Sequence, residues 1–373
     1  MVELRPTPGP APYIYVATRL RSRKARLIRP ADYPRLLNMS LESLIRFIHE
    51  SGYKLEIEEL SLPMKGMTLV EAALTKNFAR SFQSVLRMTP GHLKTLTSRY
   101  LHRWDIINVM AILRGKQHNI PVQKINEILI PAGELEEEFL HSLIQEDTVG
   151  HIIDRLGHWR LSSVLKNEFD KGVLKGTFSR VENELYKKYY ADLIRDARSG
   201  ISGGDIFLKY LRLEIDITNI KNLFRLRSGG VVEDIGGFMI PGGNNPPEQY
   251  VRIAETEDRE MFISLIKQTS QFPVYSRALK RLTPGNPISD EEAAERTWER
   301  WRLKKTPAHQ VEIAVATILL DQMEGISKRH AFSVLPILVY FERKRYEIAN
   351  IRAIARGKQH GMPNDFIMRY LVL

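Results

Sequence analysis

Few residues in this chain are of a type and spacing that could make or break a covalent bond. Gly115-Lys116 and Gly357-Lys358 come nearest to a phosphate-binding loop, in which backbone amides and a lysine cradle an anion. That motif also needs a glycine five positions before the Gly-Lys glycine and a hydroxyl residue after the lysine. Met110 and Arg352 hold the first place and Gln117 and Gln359 the second, so nucleotide cradling is excluded. No H-E-x-x-H, G-x-S-x-G or G-x-G-x-x-G segment occurs. The 373 residues include no cysteine, which removes thiol catalysis, thiolate-bound zinc and disulfides together. Of the ten histidines, His151 and His158 stand seven apart and could share a helix face, but no third ligand accompanies them. We expect no catalytic residue, no cofactor and no metal site.

What the chain does carry is repetition. Arg114 to Pro121, RGKQHNIP, and Arg356 to Pro363, RGKQHGMP, agree at six of eight positions. Upstream of each runs acid-x-x-Asn-aliphatic-x-x-aliphatic-x-Arg, as Asp105, Asn108 and Arg114 and again as Glu347, Asn350 and Arg356. Asp216, Asn219 and Arg225 form a third copy, whose continuation has lost the Gly-Lys-Gln-His part. Ile130-Pro131-Ala132-Gly133 and Ile240-Pro241-Gly242-Gly243 follow the first two copies, and the openings Leu41/Leu44/Ile45, Val149/Ile152/Ile153 and Phe262/Leu265/Ile266 keep the same phase. These markers divide the chain at about 130 and 240, into units 1–130, 131–240 and 241–373.

Asparagine is a poor residue for a helix interior, so its return at one phase of three helices needs a reason beyond propensity. Either Asn108, Asn219 and Asn350 are buried and hydrogen-bond backbone or the acid three residues earlier, or they face a partner; we expect the first, because burial of an amide specifies packing. Arg114, Arg225 and Arg356 fall in the last helical turns, where a cation complements the partial negative charge of the helix end. Gly115 and Gly357 are placed to be left-handed stop residues. Lys116 and Lys358 then open polar exits able to meet an acidic surface.

The elements that carry these residues read as helices. Thr68-x-x-Glu71 resembles a capping box ahead of Leu74, Phe78, Phe82 and Val85, and Thr89-Pro90-Gly91 stops that helix. A second helix runs through Leu93, Leu96, Tyr100 and Ile107 into the signature. In the middle unit Ser179-x-x-Glu182 opens the first helix, Gly200 to Gly204 breaks it, and Asp205 begins the next. In the last, Ser289 and Glu292 cap one helix, Thr306-Pro307 begins another that breaks near Gly325, and Ser327 resumes it. Only Gly230 to Met239 could hold a short extended piece. The fold class is all-α.

Lysine and arginine number 55 against 44 aspartates and glutamates, a net charge of +11 that suits an acidic partner. Thr18 to Arg29 concentrates it, with Arg19, Arg21, Arg23, Lys24, Arg26 and Arg29 and no acid. This run is either a solvated face or a docking surface. Ala331 to Phe341, the longest uncharged apolar-rich stretch, is too short to cross a bilayer, and the N-terminus lacks the pattern of a secretory signal. A basic helical nucleic-acid-binding protein is the alternative that the charge suggests, though aromatics for base stacking are not interleaved with the basic residues.

Taken together, the three signatures, Arg-Gly-Lys in the outer two, Ile-Pro-x-Gly between units and the opening Tyr13-x-Tyr15-x-Ala17-x-x-Arg19 resemble the C subunit of the archaeal-type rotary ATP synthase, a relative of the d subunit of the vacuolar ATPase. The resemblance covers essentially the whole chain; the middle unit departs from it by ending Arg227-Ser228-Gly229-Gly230. It implies three similar helical domains around a pseudo-threefold axis, shaped as a funnel. It further implies a non-catalytic coupler on the cytoplasmic face of the membrane, peripheral and not inserted. Its implied partners are the membrane rotor ring and the D and F subunits of the central stalk, with no nucleic acid. Arg19, Arg21, Arg23, Lys116 and Lys358 are the residues we expect at a partner interface.

Overall fold

Thr89 and Pro90 interrupt the longest helical pattern of the first third, and the chain turns there: one helix ends at Met88 and the next starts at Gly91. The computed structural model describes residues 11–170, 178–200, 203–229, 234–282, 285, 288–304 and 309–373. Among them there is no strand. The first third contains α1 (Ala11–Lys24), α2 (Tyr33–Leu37), α3 (Leu41–His49), α4 (Lys54–Leu60), the long helices α5 (Gly66–Met88) and α6 (Gly91–Gln117), and α7 (Val122–Ile128). Next come α8 (Glu137–Gln145), α9 (Val149–Arg155), α10 (Ser162–Asp170), the long α11 (Phe178–Arg198) and α12 (Gly204–Ser228), and α13 (Ile235–Phe238). The last third has α14 (Pro247–Glu255), α15 (Arg259–Lys267), α16 (Phe272–Arg281), α17 (Asp290–Arg302), the long α18 (His309–Arg329) and α19 (Leu335–Gln359), and α20 (Asn364–Met368). No helix among the described residues is long and apolar enough to cross a membrane.

The same local chemistry starts α3, α9 and α15. Ser40, Thr148 and Asp258 each accept a backbone N–H three residues on, from Ser43, His151 and Met261. This satisfies one of the donors that a helix start leaves open. The apolar residues Leu44, Ile152 and Phe262 that follow at one phase are fully buried. Each third then runs into a pair of long helices and a short one.

The long helices pair across thirds as well as within them. α5 lies along α19, α6 along α11, α11 along α12, and α18 along both α16 and α19. One apolar core joins α1 to α11 with the first half of α12 and with α19. A second gathers α14 to α18 around the other half of α12, where Trp301 sits against Phe224 and Phe262 with ring centroids 5.7 Å away in each case. α12 therefore feeds two cores, through Phe207, Leu211 and Ile215 and then through Ile220, Leu223 and Phe224.

Several local expectations give way to tertiary contacts. α5 begins at Gly66 with Lys65 as its uncapped N-cap, and α11 begins at Phe178, so Thr68-x-x-Glu71 and Ser179-x-x-Glu182 are not capping boxes. Their glutamates are drawn into ion pairs with distant arginines. α18 passes through Gly325 unbroken to Arg329. Residues 234–239 form a turn and α13 rather than an extended piece, while 230–233 lie outside the described residues, as does Thr306-Pro307. The Ser289 and Glu292 capping box is present, with Glu292 N–H donating to Ser289 Oγ at 3.1 Å and Ser289 N–H to Glu292 Oε2 at 2.9 Å.

Candidate functional site at the repeat signatures

All three signature asparagines are buried, and all three do the same thing. Asn108 donates to the carbonyl of Ile130 at 2.7 Å and accepts its N–H at 2.8 Å. Asn219 makes the same pair with Ile240, at 2.8 Å each way, and Asn350 with Val372, at 2.8 and 2.9 Å. A primary amide matches a peptide group donor for acceptor, so one side chain fastens the exit segment to the long helix without stranding a polar atom.

The acids at the first signature position fix the residues just beyond. Asp105 accepts the N–H groups of Glu134 and Leu135 at 2.9 and 3.0 Å; Asp216 accepts those of Asn244 and Asn245 at 3.0 and 3.1 Å. This explains the glycine of Ile-Pro-x-Gly. A Cβ on Gly133 or Gly243 would stand 2.1 Å from the Oδ1 of Asp105 or Asp216, far inside van der Waals contact. Gly133→Ala is expected to lower stability by about 1–3 kcal/mol, the usual cost of overpacking, and Gly243→Ala likewise; urea unfolding of the two variants checks this. Glu347, the third acid, has other partners: the N–H of Ile28 at 2.6 Å, the hydroxyl of Tyr53 at 2.5 Å and the ammonium of Lys344 at 2.8 Å.

Gly115 and Gly357 are not stop residues. α6 and α19 continue through them to Gln117 and Gln359, and the left-handed residues are Asn119 (φ 54°) and Gly361 (φ 62°). Ile120 N–H reaches back to Gly115 O and Met362 N–H to Gly357 O, each at 2.8 Å, while Asn119 and Gly361 donate to Lys116 and Lys358 carbonyls. These paired bonds close the helix end in a Schellman motif. The glycines are needed for another reason: a Cβ there would lie 2.5 Å from Ile125 Cδ1 or 2.4 Å from Ile367 Cδ1, the apolar anchors of α7 and α20. In the middle third the corresponding residue is Leu226, and Ile235 of α13 is only partly buried.

The signature arginines reach the neighbouring third. Arg114 pairs with Glu182 of α11. Arg356 pairs with Glu71 of α5 at 2.6 Å, and Arg352, one turn earlier, reaches the same carboxylate at 2.5 Å. Arg225 is exposed and forms no ion pair among the described residues; Lys221, a turn before it, shares a small apolar cavity with Glu312 of α18. The acids concerned follow valine each time, at Val70-Glu71, Val181-Glu182 and Val311-Glu312, a recurring dipeptide that could have exposed them in the sequence.

A further set lies five residues before each asparagine: Arg103, Glu214 and Arg345. These equivalent positions converge. Arg103 donates to Glu214 at 2.7 Å and to the hydroxyls of Tyr100 and Tyr189 at 3.0 and 3.2 Å, with its guanidinium 4.1 Å from the Tyr100 ring centre. Glu342 of α19 accepts from Tyr100 at 2.9 Å and from Arg345, and stands 3.7 Å from Arg103. Burial alone would raise the Glu342 carboxyl, but Arg345 and Arg103 outweigh it and hold it below the ordinary range. One buried cluster thus ties α6, α11, α12 and α19 together.

Of the expected interface residues, Arg19 and Arg21 are exposed on α1, as is Arg26 just beyond its end. Arg23 is half-buried and donates to Ser84 at 2.7 Å. Lys358 donates to the carbonyl of Leu37 and, at 2.7 Å, to Asn364, which fastens α2 to the end of α19. Lys116 is half-buried. α1 carries exposed cations, whereas Lys358 is bonded within the fold.

The family model described as ATP synthase (C/AC39) subunit matches residues 16–370. The chain belongs to this family. Among its relatives, the C subunit of the A-type ATP synthase of Methanosarcina acetivorans is 34% identical over 98% of this chain and 94% of its own length. Those of Halobacterium salinarum and Archaeoglobus fulgidus are 30% and 29% identical; the first aligns over 98% of this chain and 99% of itself, the second over 97% of each.

Proposed function

We propose that this chain is the non-catalytic component of an A-type ATP synthase that couples the foot of the central stalk to the membrane rotor ring. In this reading the three repeats surround a pseudo-threefold axis as a funnel, the D and F subunits of the stalk enter one end, and the ring meets the other at the cytoplasmic face. Ion flow then turns ring, coupler and stalk as one body.

A part that passes torque needs stiffness in the contacts between its lobes. The observation that carries the reading is the convergence of Arg103, Glu214 and Arg345, equivalent in the repeat, on one buried cluster shared by all three thirds. The Arg114–Glu182 and Arg356–Glu71 pairs repeat the arrangement, each leading from the second long helix of one unit to the first long helix of another. Such a pattern is what a triplicated bundle closed around an axis requires.

The exposed cations of α1 and of the turn after it are proposed to meet the acidic partner surface. Charge reversal at Arg19, Arg21 and Arg26 is expected to leave thermal unfolding unchanged and to weaken docking steeply, with the wild-type interaction itself loosening as salt rises. The decisive experiment is reconstitution: tagged chain, the D and F stalk subunits and the solubilised ring, separated by size. Joint elution of ring and stalk only when the chain is present supports the proposal. Failure to bridge them, or retention of an oligonucleotide with a steep salt dependence, would overturn it.

A further inference from the structure

Three equivalent carboxylates in the repeat have three different degrees of compensation. Asp216 accepts five hydrogen bonds: two backbone N–H groups, the Asn244 amide at 2.9 Å, the Tyr250 hydroxyl at 3.2 Å and the Ser270 hydroxyl at 2.5 Å. Glu347 has the Lys344 ammonium beside it. Asp105 is fully buried with its two backbone donors and no side-chain donor among the described residues, and its nearest titratable neighbours are a second carboxylate, Glu134, and the buried imidazole of His102. His102 occupies the place of Lys344 and of Leu213 in the other two repeats, and Glu134 the place of Asn244.

We propose that His102, Asp105 and Glu134 bind a divalent transition-metal ion, which supplies in the first repeat the positive charge that Lys344 supplies in the third. One imidazole nitrogen and two carboxylate oxygens lie within 4.8 Å of one another, and His102 Nε2 stands 3.2 Å from Glu134 Oε2. Neighbouring ligands of a tetrahedral zinc, each at about 2.0–2.2 Å, are separated by about 3.3 Å, so the site closes on an ion with small movements. An imidazole among oxygens favours zinc, cobalt or manganese over magnesium and calcium.

The electrostatics point the same way. His102 is buried and stands beside two carboxylates. Asp105 is likewise buried, with its charge met by two backbone N–H groups and by no cation among the described residues, which leaves a desolvation cost. A cation between the two carboxylates would remove that cost. Each Asp105 oxygen keeps a lone pair beyond the one that its N–H donor uses. The Glu134 side chain is 58% exposed and lines a cleft of about 930 Å³ between α5 and residues 124–141, so one of the three ligands is open to water. The ion would fasten the 131–137 loop to α6.

The test uses the full chain, stripped with chelator and titrated separately with Zn²⁺, Co²⁺ and Mn²⁺, followed by calorimetry, by cobalt absorption and by thermal unfolding. One equivalent is expected to bind and to raise Tm by several degrees at about a hundredfold excess over Kd. His102→Leu and Glu134→Asn install the residues that the second repeat has at these positions; each should weaken binding at least about tenfold, the usual order of effect on a metal site, while keeping the metal-free Tm. Glu134→Gln, nearly isosteric, provides the same comparison if either variant folds poorly. No stoichiometric binding of any of the three ions, or binding that all three variants leave unchanged, would overturn the proposal. So would stabilisation by acid alone with no response to metal, which would assign the site to a proton.

Discussion

Asn219→Leu is expected to cost about 2–6 kcal/mol in urea unfolding, because it leaves both the N–H and the C=O of Ile240 buried without a partner, at about 1–3 kcal/mol each. Leucine keeps the branching and the number of heavy atoms, so no cavity opens; the loss comes from the stranded peptide group. The three repeats should not respond equally. The Asn219 clamp is fully buried, whereas the Asn108 and Asn350 clamps are partly open to water, which can replace the amide. Asn108→Leu and Asn350→Leu should therefore cost less, about 1–3 kcal/mol. Asn219→Asp distinguishes this from a general intolerance of change: it keeps the acceptor for the Ile240 N–H but sets a carboxylate oxygen against the Ile240 carbonyl, and should be no milder than leucine. Equal and small losses at all three sites would show that the amides face solvent exchange rather than hold the exit segments.

Why the asparagines are legible in the sequence and their neighbours are not follows from the range of the forces involved. A buried amide in a helix is unfavourable unless something compensates it locally, so its recurrence at one phase is a signal complete in itself. The all-helical character follows from the apolar spacing in the same way. Gly115 and Gly357 look like helix stops because a glycine after a basic last turn commonly is one, yet what they admit is Ile125 and Ile367, side chains from the next helix whose approach no local pattern encodes. Glu71 and Glu182 sit at capping distance from a threonine and a serine, but a guanidinium from a segment far away in sequence competes better than a frayed helix start. Arg103, Glu214 and Arg345 are hidden because equivalence in the fold does not require identity. At a point where three copies of one position meet, three like charges would repel; Glu214 breaks the set and Glu342 lies between the two arginines, and the exchange erases the repeat that would have revealed it.

That cluster gives the second large prediction. Arg103→Met is expected to destabilise the chain by about 3–5 kcal/mol, the range seen when one member of a buried ion pair is removed. The side chain is 13% exposed, so water does not take over its contacts with Glu214 and Glu342. Glu342 keeps Arg345, but Glu214 has no other cation bonded to it among the described residues, and its Oε2 already lacks a hydrogen-bond partner. Most of the loss should therefore belong to Glu214. Adding Glu214→Gln to Arg103→Met removes the stranded charge while keeping the shape, and should recover a large part of the stability, so that the double-mutant cycle returns a coupling well above the few tenths of a kcal/mol expected of independent sites. The apolar core around α14 to α18 does not include these residues, so in Arg103→Met the tryptophan signal of Trp301 should outlast the loss of helix elsewhere and split one unfolding transition into two. In the coupler role proposed above, that defect would let the chain twist where the thirds meet. If the single and double variants simply add, Arg103 is a packing residue and the convergence of the three repeats contributes no stiffness.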